Sequence, residues 1–230
     1  PMRLDLDQID PDAVPAAFTI DTWEGYPSER EELLAFMAEA GLTNIVSLAG
    51  DNHNSFAGYL ARSYEEDTLE PMGAEFSVCG ISSTSVWKAM EGIVAQGEPF
   101  RPLVALDRPD APPLEALNLT FRHGTRASAT LAETGGNLEA AIAQRNPAQN
   151  PHLTYVDSNA YGFARLEVTG DRTTCTFTTI APPVQQPNGA GATVLRRVRH
   201  TLPTWAAGDA PSLQGPTIEG TPPFPMGQTA

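Results

Sequence analysis

The stretch Asn44-Ile45-Val46-Ser47-Leu48-Ala49-Gly50-Asp51-Asn52-His53-Asn54 decides how the chain is read. A mostly apolar run of strand length, Asn44 to Ala49, stops abruptly at a polar Gly-Asp-Asn-His-Asn segment. Upstream, Ser28-Glu29-Arg30-Glu31 has the form of a capping box, in which Ser28 accepts from the N3 amide and Glu31 reaches back. It predicts a helix carrying Leu33, Leu34, Phe36 and Met37 on one face, with Gly41 as its stop. Downstream, a second helix is predicted from near Ser55 to about Ser63. Helix, strand, loop and helix in succession make an α/β layer the expected fold class.

Working outward, Glu75 to Gly80 reads as a strand, followed by a polar turn at Ser82-Ser83-Thr84. Ser85 to Gln96 has a helical pattern, closed by Gly97 and Pro99. Pro109, Pro112 and Pro113 mark 107–113 as loop, and Leu114 to Arg122 fits a short helix or a strand equally. Thr125 to Arg145 is helix-prone but interrupted at Gly135-Gly136. Tyr161 to Val168 and Thr173 to Ile180, joined at Gly170-Asp171, form a hairpin signal, and a further strand is expected near Val194 to Leu202. Residues 1–22 read as an irregular lead-in. Those from 206 to 230 read as an extended or disordered Pro/Gly-rich tail, held against the surface or free.

The chain has 230 residues and a formal net charge of −14, from 28 Asp and Glu against 14 Lys and Arg. Phosphate neutralisation needs a basic surface, so this balance argues against nucleic acid as a main partner. Acidity is compatible with multivalent cations without identifying a site for one. No stretch approaches the roughly 20 apolar residues that span a bilayer, and no signal-peptide pattern opens the chain. Cys79 and Cys175 are far apart and make no CxxC motif. Each falls in a strand-like run, which favours two buried free thiols over a disulfide.

The chemistry concentrates at Gly50-Asp51-Asn52-His53-Asn54. In extended backbone, a carboxylate and an imidazole two residues apart project to the same side. They sit where a strand ends, the usual ligand position of open α/β sheets. Asp with His suits iron or zinc better than calcium alone. Asp, Asn and Ser between a strand and the next element are equally at home as turn and N-cap residues, so both readings stand.

The segment Asp21-Thr22-Trp23-Glu24-Gly25-Tyr26-Pro27 with Arg30, then the apolar helix, then Asn44-Ile45-Val46 and Gly50-Asp51-x-His53, resembles the PhoD-type alkaline phosphatases, a family of metallophosphoesterases. Glu24 stands where the family pattern has Asp, and Asn52 where it has Val; neither change removes a presumed ligand. Glu75-Phe76, Ile81-Ser82-Ser83, Asn150-Pro151-His152 and Tyr161-Gly162 continue the resemblance in order, over most of residues 21–205.

The resemblance implies a metallophosphoesterase-like β-sandwich flanked by helices, with a polynuclear metal centre at the strand ends. It implies iron and calcium as cofactors, Asp51 and His53 as metal ligands, and a periplasmic or secreted location. The implied reaction is hydrolysis of phosphate monoesters or diesters, with cations clamping the phosphoryl oxygens and lowering the pKa of a bound water. Family members carry their early ligands in an N-terminal half that nothing before Trp23 matches, and no Gly-Asn-His block occurs. The expectation is therefore that 23–205 is the C-terminal part of such a domain. Its partners would be its own N-terminal half, or a companion chain carrying it, and a small phosphoester. The rival expectation is a non-catalytic partner or binding module that keeps the fold without a complete metal site.

Other residues carry two readings each. Asn54 could donate to a phosphoryl oxygen or serve as an N-cap, and Tyr26 with Trp23 could edge a substrate cleft or anchor the helix entry by packing. His152 could contact substrate or orient a ligand, or be a satisfied structural histidine. Arg30 could reach an anion or pair with a carboxylate. Ser82 and Ser83 lack a G-x-S-x-G elbow and read as a turn, and His123 and His200 are assigned no site. Arg196-Arg197-x-Arg199 reads as a solvated or partner-contacting strand edge.

Overall fold

The computed structural model describes residues 2–4, 6, 16–17, 22–64, 66–183 and 193–226. Most of the lead-in, including Asp21 of the first motif, lies outside the described residues, as do 184–192 and the last four positions. The elements run β1 (Arg3–Leu4), β2 (Ala16–Ala17), α1 (Pro27–Glu39), β3 (Ile45–Ala49), β4 (Ser55–Ala61), β5 (Pro71–Ser77), α2 (Val86–Ile93) and α3 (Arg101–Val104). They continue with β6 (Leu106–Arg108), β7 (Ala111–Leu114), α4 (Ala116–His123), α5 (Thr125–Glu133), α6 (Leu138–Ile142) and β8 (Leu153–Asp157). The chain closes with β9 (Gly162–Val168), β10 (Arg172–Ile180), β11 (Val194–Pro203) and β12 (Gln214–Gly220).

Two four-stranded sheets share one core. The first has the order β3-β5-β4-β8, with β3 parallel to β5 and the other pairs antiparallel; the second, β12-β11-β10-β9, is antiparallel throughout. Period-2 alternation explains which side chains meet. Ala57, Phe76 and Tyr155 of the first sheet face Cys175, Phe177 and Val198 of the second. The Tyr155 and Phe177 rings lie 5.6 Å apart and Phe76 and Phe177 6.2 Å apart. The alternate residues Phe56 and Val156 point the other way, joined by Leu153 beyond the register shift at Ala57/Gly58, onto Trp87, Val104, Leu117 and Phe121 of the helical layer. Fold class α/β is thus what the chain adopts.

Local chemistry accounts for the element ends. Helix α1 ends in a Schellman motif: Gly41 sits at φ +64, its N–H donates to Ala38 O, and Leu42 N–H to Met37 O. The start of α1 departs from the sequence reading. Tyr26 is the N-cap residue and Pro27 opens the helix, with no side-chain cap. The ring-fixed φ of Pro27 nucleates the first turn, which moves Ser28 inside it and leaves the expected capping box unformed.

Two further expectations are corrected. The predicted helix at 55–63 is strand β4, because each of its alternating faces meets its own apolar layer, and a short apolar run carries no periodicity that separates helix from strand. Residues 107–113 are not all loop, since β6 and β7 make a small hairpin there. The ambiguous 114–122 segment is helix α4. The break at Gly135-Gly136 occurs as read, with φ +65 and +104 between α5 and α6. Within the C-terminal segment, β12 adds to β11, and Phe224 O accepts from buried Asn118 Nδ2 at 2.7 Å. No helix among the described residues is long and apolar enough to cross a membrane. Both cysteines are buried free thiols; burial pushes Cys175 up to about 12.

Candidate active site

Strand β3 delivers the Gly50–Asn54 segment to the end of the first sheet, where β4 turns back toward β8. The backbone here is not extended, contrary to the sequence expectation. Asp51 has φ +67 and His53 φ +54, and Asn52 N–H donates to Gly50 O at 2.8 Å, closing a γ-turn about Asp51. Two non-glycine residues in the left-handed region within three positions store strain, as functional turns often do. Asp and His are among the residues that tolerate this region best.

His53 is gripped at both backbone and ring. Its carbonyl accepts from Val86 N–H at 2.9 Å, and its Nδ1 lies 2.5 Å from Thr84 O. A carbonyl oxygen only accepts, so this contact requires the proton on Nδ1 and leaves the Nε2 lone pair free when the ring is neutral. Asn54, the next residue, is fully buried, and neither its Nδ2 nor its Oδ1 has a hydrogen-bond partner among the described residues. Such an orphaned amide calls for a ligand, ion or ordered water.

A buried polar network backs this turn, and the sequence reading missed it. Ser55 pairs across the ladder with Asp157, and its Oγ accepts from Cys79 N–H at 3.4 Å. Arg196 donates to Asp157 Oδ2 from Nη2 and Nε, at 2.6 and 2.9 Å. Burial opposes the Arg196 charge, and Asp157 more than offsets that, holding the guanidinium above its ordinary range. Tyr155 donates its hydroxyl to the same Asp157 oxygen, and burial raises the Tyr155 phenol well above its usual value. Asn118 Oδ1 accepts from Ser158 N–H at 2.8 Å. Glu115, pushed up by burial, accepts from Asn159 Nδ2. Arg196 therefore departs from the solvated-edge reading, whereas Arg197 and Arg199 are exposed. The alternation Arg196, Val198, His200 places all three on the inward face, and that was the available signal.

The remaining candidates gather around a cavity of about 760 Å³ between α1 and the first sheet. Tyr26, Trp23, Arg30 and His152 line it, and Gly50 and Asn52 bring the turn to it. Trp23 and Tyr26 are half exposed at its rim. Arg30 donates to Trp23 O at 3.1 Å and lies over the Tyr64 ring, with no carboxylate partner among the described residues. His152 is buried edge-on against Tyr64, with ring centroids 4.8 Å apart. It precedes β8, whereas Asp157, opposite Ser55, ends it, so the sheet separates His152 from the Asp51–His53 turn by most of a strand. Ser82 and Ser83 lie in an exposed bend, as read.

Asp51 and His53 offer an anionic oxygen and a neutral nitrogen, a pairing that suits a transition metal or mixed centre. Among the described residues, no group of three His, Cys, Asp or Glu could hold a metal ion. Together with the orphaned Asn54 amide, the turn fits part of a donor set and needs further ligands to complete it.

The profile of the family described as PhoD-like phosphatase matches residues 3–177, and the chain belongs to that family. Alkaline phosphatase D of Bacillus subtilis (strain 168) is 38% identical over 66 residues, which is 29% of this chain and 11% of that protein. A solved structure described as "Structure of PhoD" aligns over 86% of this chain and 27% of its own, at 21% identity and a TM-score of 0.47. The chain thus spans only 11% and 27% of the length of these two relatives.

Proposed function

We propose that this chain supplies the C-terminal half of the active site of a metal-dependent phosphoesterase that hydrolyses phosphate monoesters or diesters. The observation that carries the reading is the turn itself: Asp51 and His53 in left-handed backbone, His53 tied through Nδ1, and a buried unpartnered amide on Asn54. Asp51 and His53 would be metal ligands, with iron and calcium the metals implied by resemblance. A bound cation of this kind clamps phosphoryl oxygens and supplies hydroxide near neutral pH. Asn54 Nδ2 would donate to a phosphoryl oxygen and orient it. Tyr26 would contact the ester group from the rim of the cavity, whereas His152, most of a strand away from the turn, would line its far end.

Residues 23–205 are read as part of a metallophosphoesterase sandwich of periplasmic or secreted location, completed by an N-terminal half in the same or a companion chain. Three features support that partner. Among the described residues, strand β3 is an edge strand paired only with β5. Its Leu48 is 64% exposed, and α1 buries a single residue, Leu34, while Phe36 stands 63% exposed. An exposed apolar edge of this kind is a surface that further polypeptide could cover. The small donor set equally suits a binding module without a complete site, and this is the second reading.

Metal analysis with monoester and diester assays, on this chain alone and combined with polypeptide carrying the upstream half, separates the two. The assembled protein is expected to hold metal and turn over at least one ester class. An assembled protein that is metal-free and inert toward both contradicts the enzyme reading.

A further inference from the structure

A chain of hydrogen bonds runs from Glu115, the N-cap residue of α4, to Ser85, whose neighbour Thr84 meets the ring of His53. Glu115 Oε1 accepts from Asn159 Nδ2 at 2.6 Å, and Asn159 Oδ1 accepts from Ser85 Oγ at 2.8 Å. Ser85 is the N-cap of α2, and its oxygen also accepts from Lys88 N–H at 3.3 Å. With its proton committed to Asn159 and a lone pair to the helix, the buried hydroxyl has one orientation. Ser85 N–H points to Tyr161 Oη at 3.4 Å, and Trp87 N–H donates to Ser158 O at 3.0 Å. Asn159 is fixed in turn by its own N–H on Asp157 Oδ1, the carboxylate that Arg196 holds.

The residues on either side of Ser85 are the two that grip His53. Thr84 O meets the ring at Nδ1, and Val86 N–H holds the His53 carbonyl. Among the described residues the imidazole has no other hydrogen-bond anchor, so the 84–86 segment sets its tautomer, and the network behind Ser85 sets the segment.

We propose that Glu115, Asn159 and Ser85 are positioning residues, acting through the Thr84 carbonyl to hold His53 as the Nδ1–H tautomer with its Nε2 lone pair presented to the site. The proposal rests on His53 being a site residue, but its test needs neither metal nor activity. A histidine ligand whose second nitrogen donates to a carbonyl gains orientation and basicity from that bond. A site is only as well defined as the shell that supports it.

The test is the long-range ¹H–¹⁵N spectrum of the His53 ring in this chain at alkaline pH, where imidazole is neutral. The wild type is expected to show a single tautomer with Nε2 unprotonated. Ser85→Gly, a substitution that N-caps tolerate well, and Asn159→Ala are expected to move the Nε2 resonance toward its protonated position. Ser85→Thr, which keeps the hydroxyl, should return it. A wild-type ring protonated on Nε2, or an unmoved resonance in folded Ser85→Gly, overturns the proposal. An inactive assembled protein whose His53 still carries its proton on Nδ1 would sink the phosphoesterase reading alone.

Discussion

Arg196 closes on Asp157 with two nitrogens on one carboxylate oxygen, Nη2 at 2.6 Å and Nε at 2.9 Å, and so ties β11 of one sheet to β8 of the other. Asp157 is wholly buried and Arg196 nearly so. Removing one partner strands the other charge in the core. Arg196→Ala is therefore expected to cost about 3–5 kcal/mol in denaturant unfolding. The double replacement Arg196→Met with Asp157→Leu should cost clearly less than the sum of the singles. Additive losses would mean that the two groups are not energetically coupled.

Gly162 opens β9 with φ +154, and a Cβ there would stand 1.9 Å from Thr178 O on the neighbouring strand. That contact involves backbone on both sides and has no flexible atom to move. Gly162→Ala should lose about 2 kcal/mol or more in the same unfolding assay. Gly170→Ala meets nothing within 4 Å and should stay within about 0.5 kcal/mol of wild type.

His200 is fully buried between Phe76, Tyr155 and Phe177, its Nδ1 has no partner, and burial lowers its pKa to about 4. The unfolded chain binds a proton near the ordinary value of about 6.5, whereas the folded chain waits until about 4. Between these values the unfolded state holds more protons, so stability falls as pH falls. The loss from this one group is on the order of 3 kcal/mol and is complete near the lower value. Thermal unfolding from pH 7.5 to 4.5 should reveal the slope, and His200→Gln should reduce it, with His123, which burial also lowers to about 4, supplying part of the remainder. An equal slope in the variant would remove His200 as its source.

Asn54 carries a cost to folding that function would explain. Both its polar atoms are buried and unpartnered, so Asn54→Leu should raise the stability of this chain by about 1–3 kcal/mol. The same substitution should lower the phosphoesterase rate of the assembled enzyme, the usual trade at a working site. Lower stability in the variant would show that the amide has a structural partner.

The sequence was most legible where chemistry is local. Gly41, Ser85, Gly135-Gly136 and the 161–180 hairpin end or start elements by backbone preference alone, and the structure places them close to where they were read. Strand β4 was misread because seven short-range residues, Ser55 to Ala61, are decided by the two layers they separate and not by their own period. The Asp51–His53 pair was legible as a motif, but its left-handed backbone was not, since an Asx-rich turn leaves that choice to its surroundings. The supporting network draws Glu115, Asn118, Asn159 and Arg196 from three distant segments, and no spacing rule joins them.

The central claim is that the Gly50–Asn54 turn holds metal for phosphoester hydrolysis. Its most direct test is metal content and turnover measured together in the assembled enzyme bearing His53→Ala. The account predicts that bound metal and rate fall in parallel, and that Asp51→Asn repeats the pattern. Unchanged metal and unchanged rate in His53→Ala would contradict it.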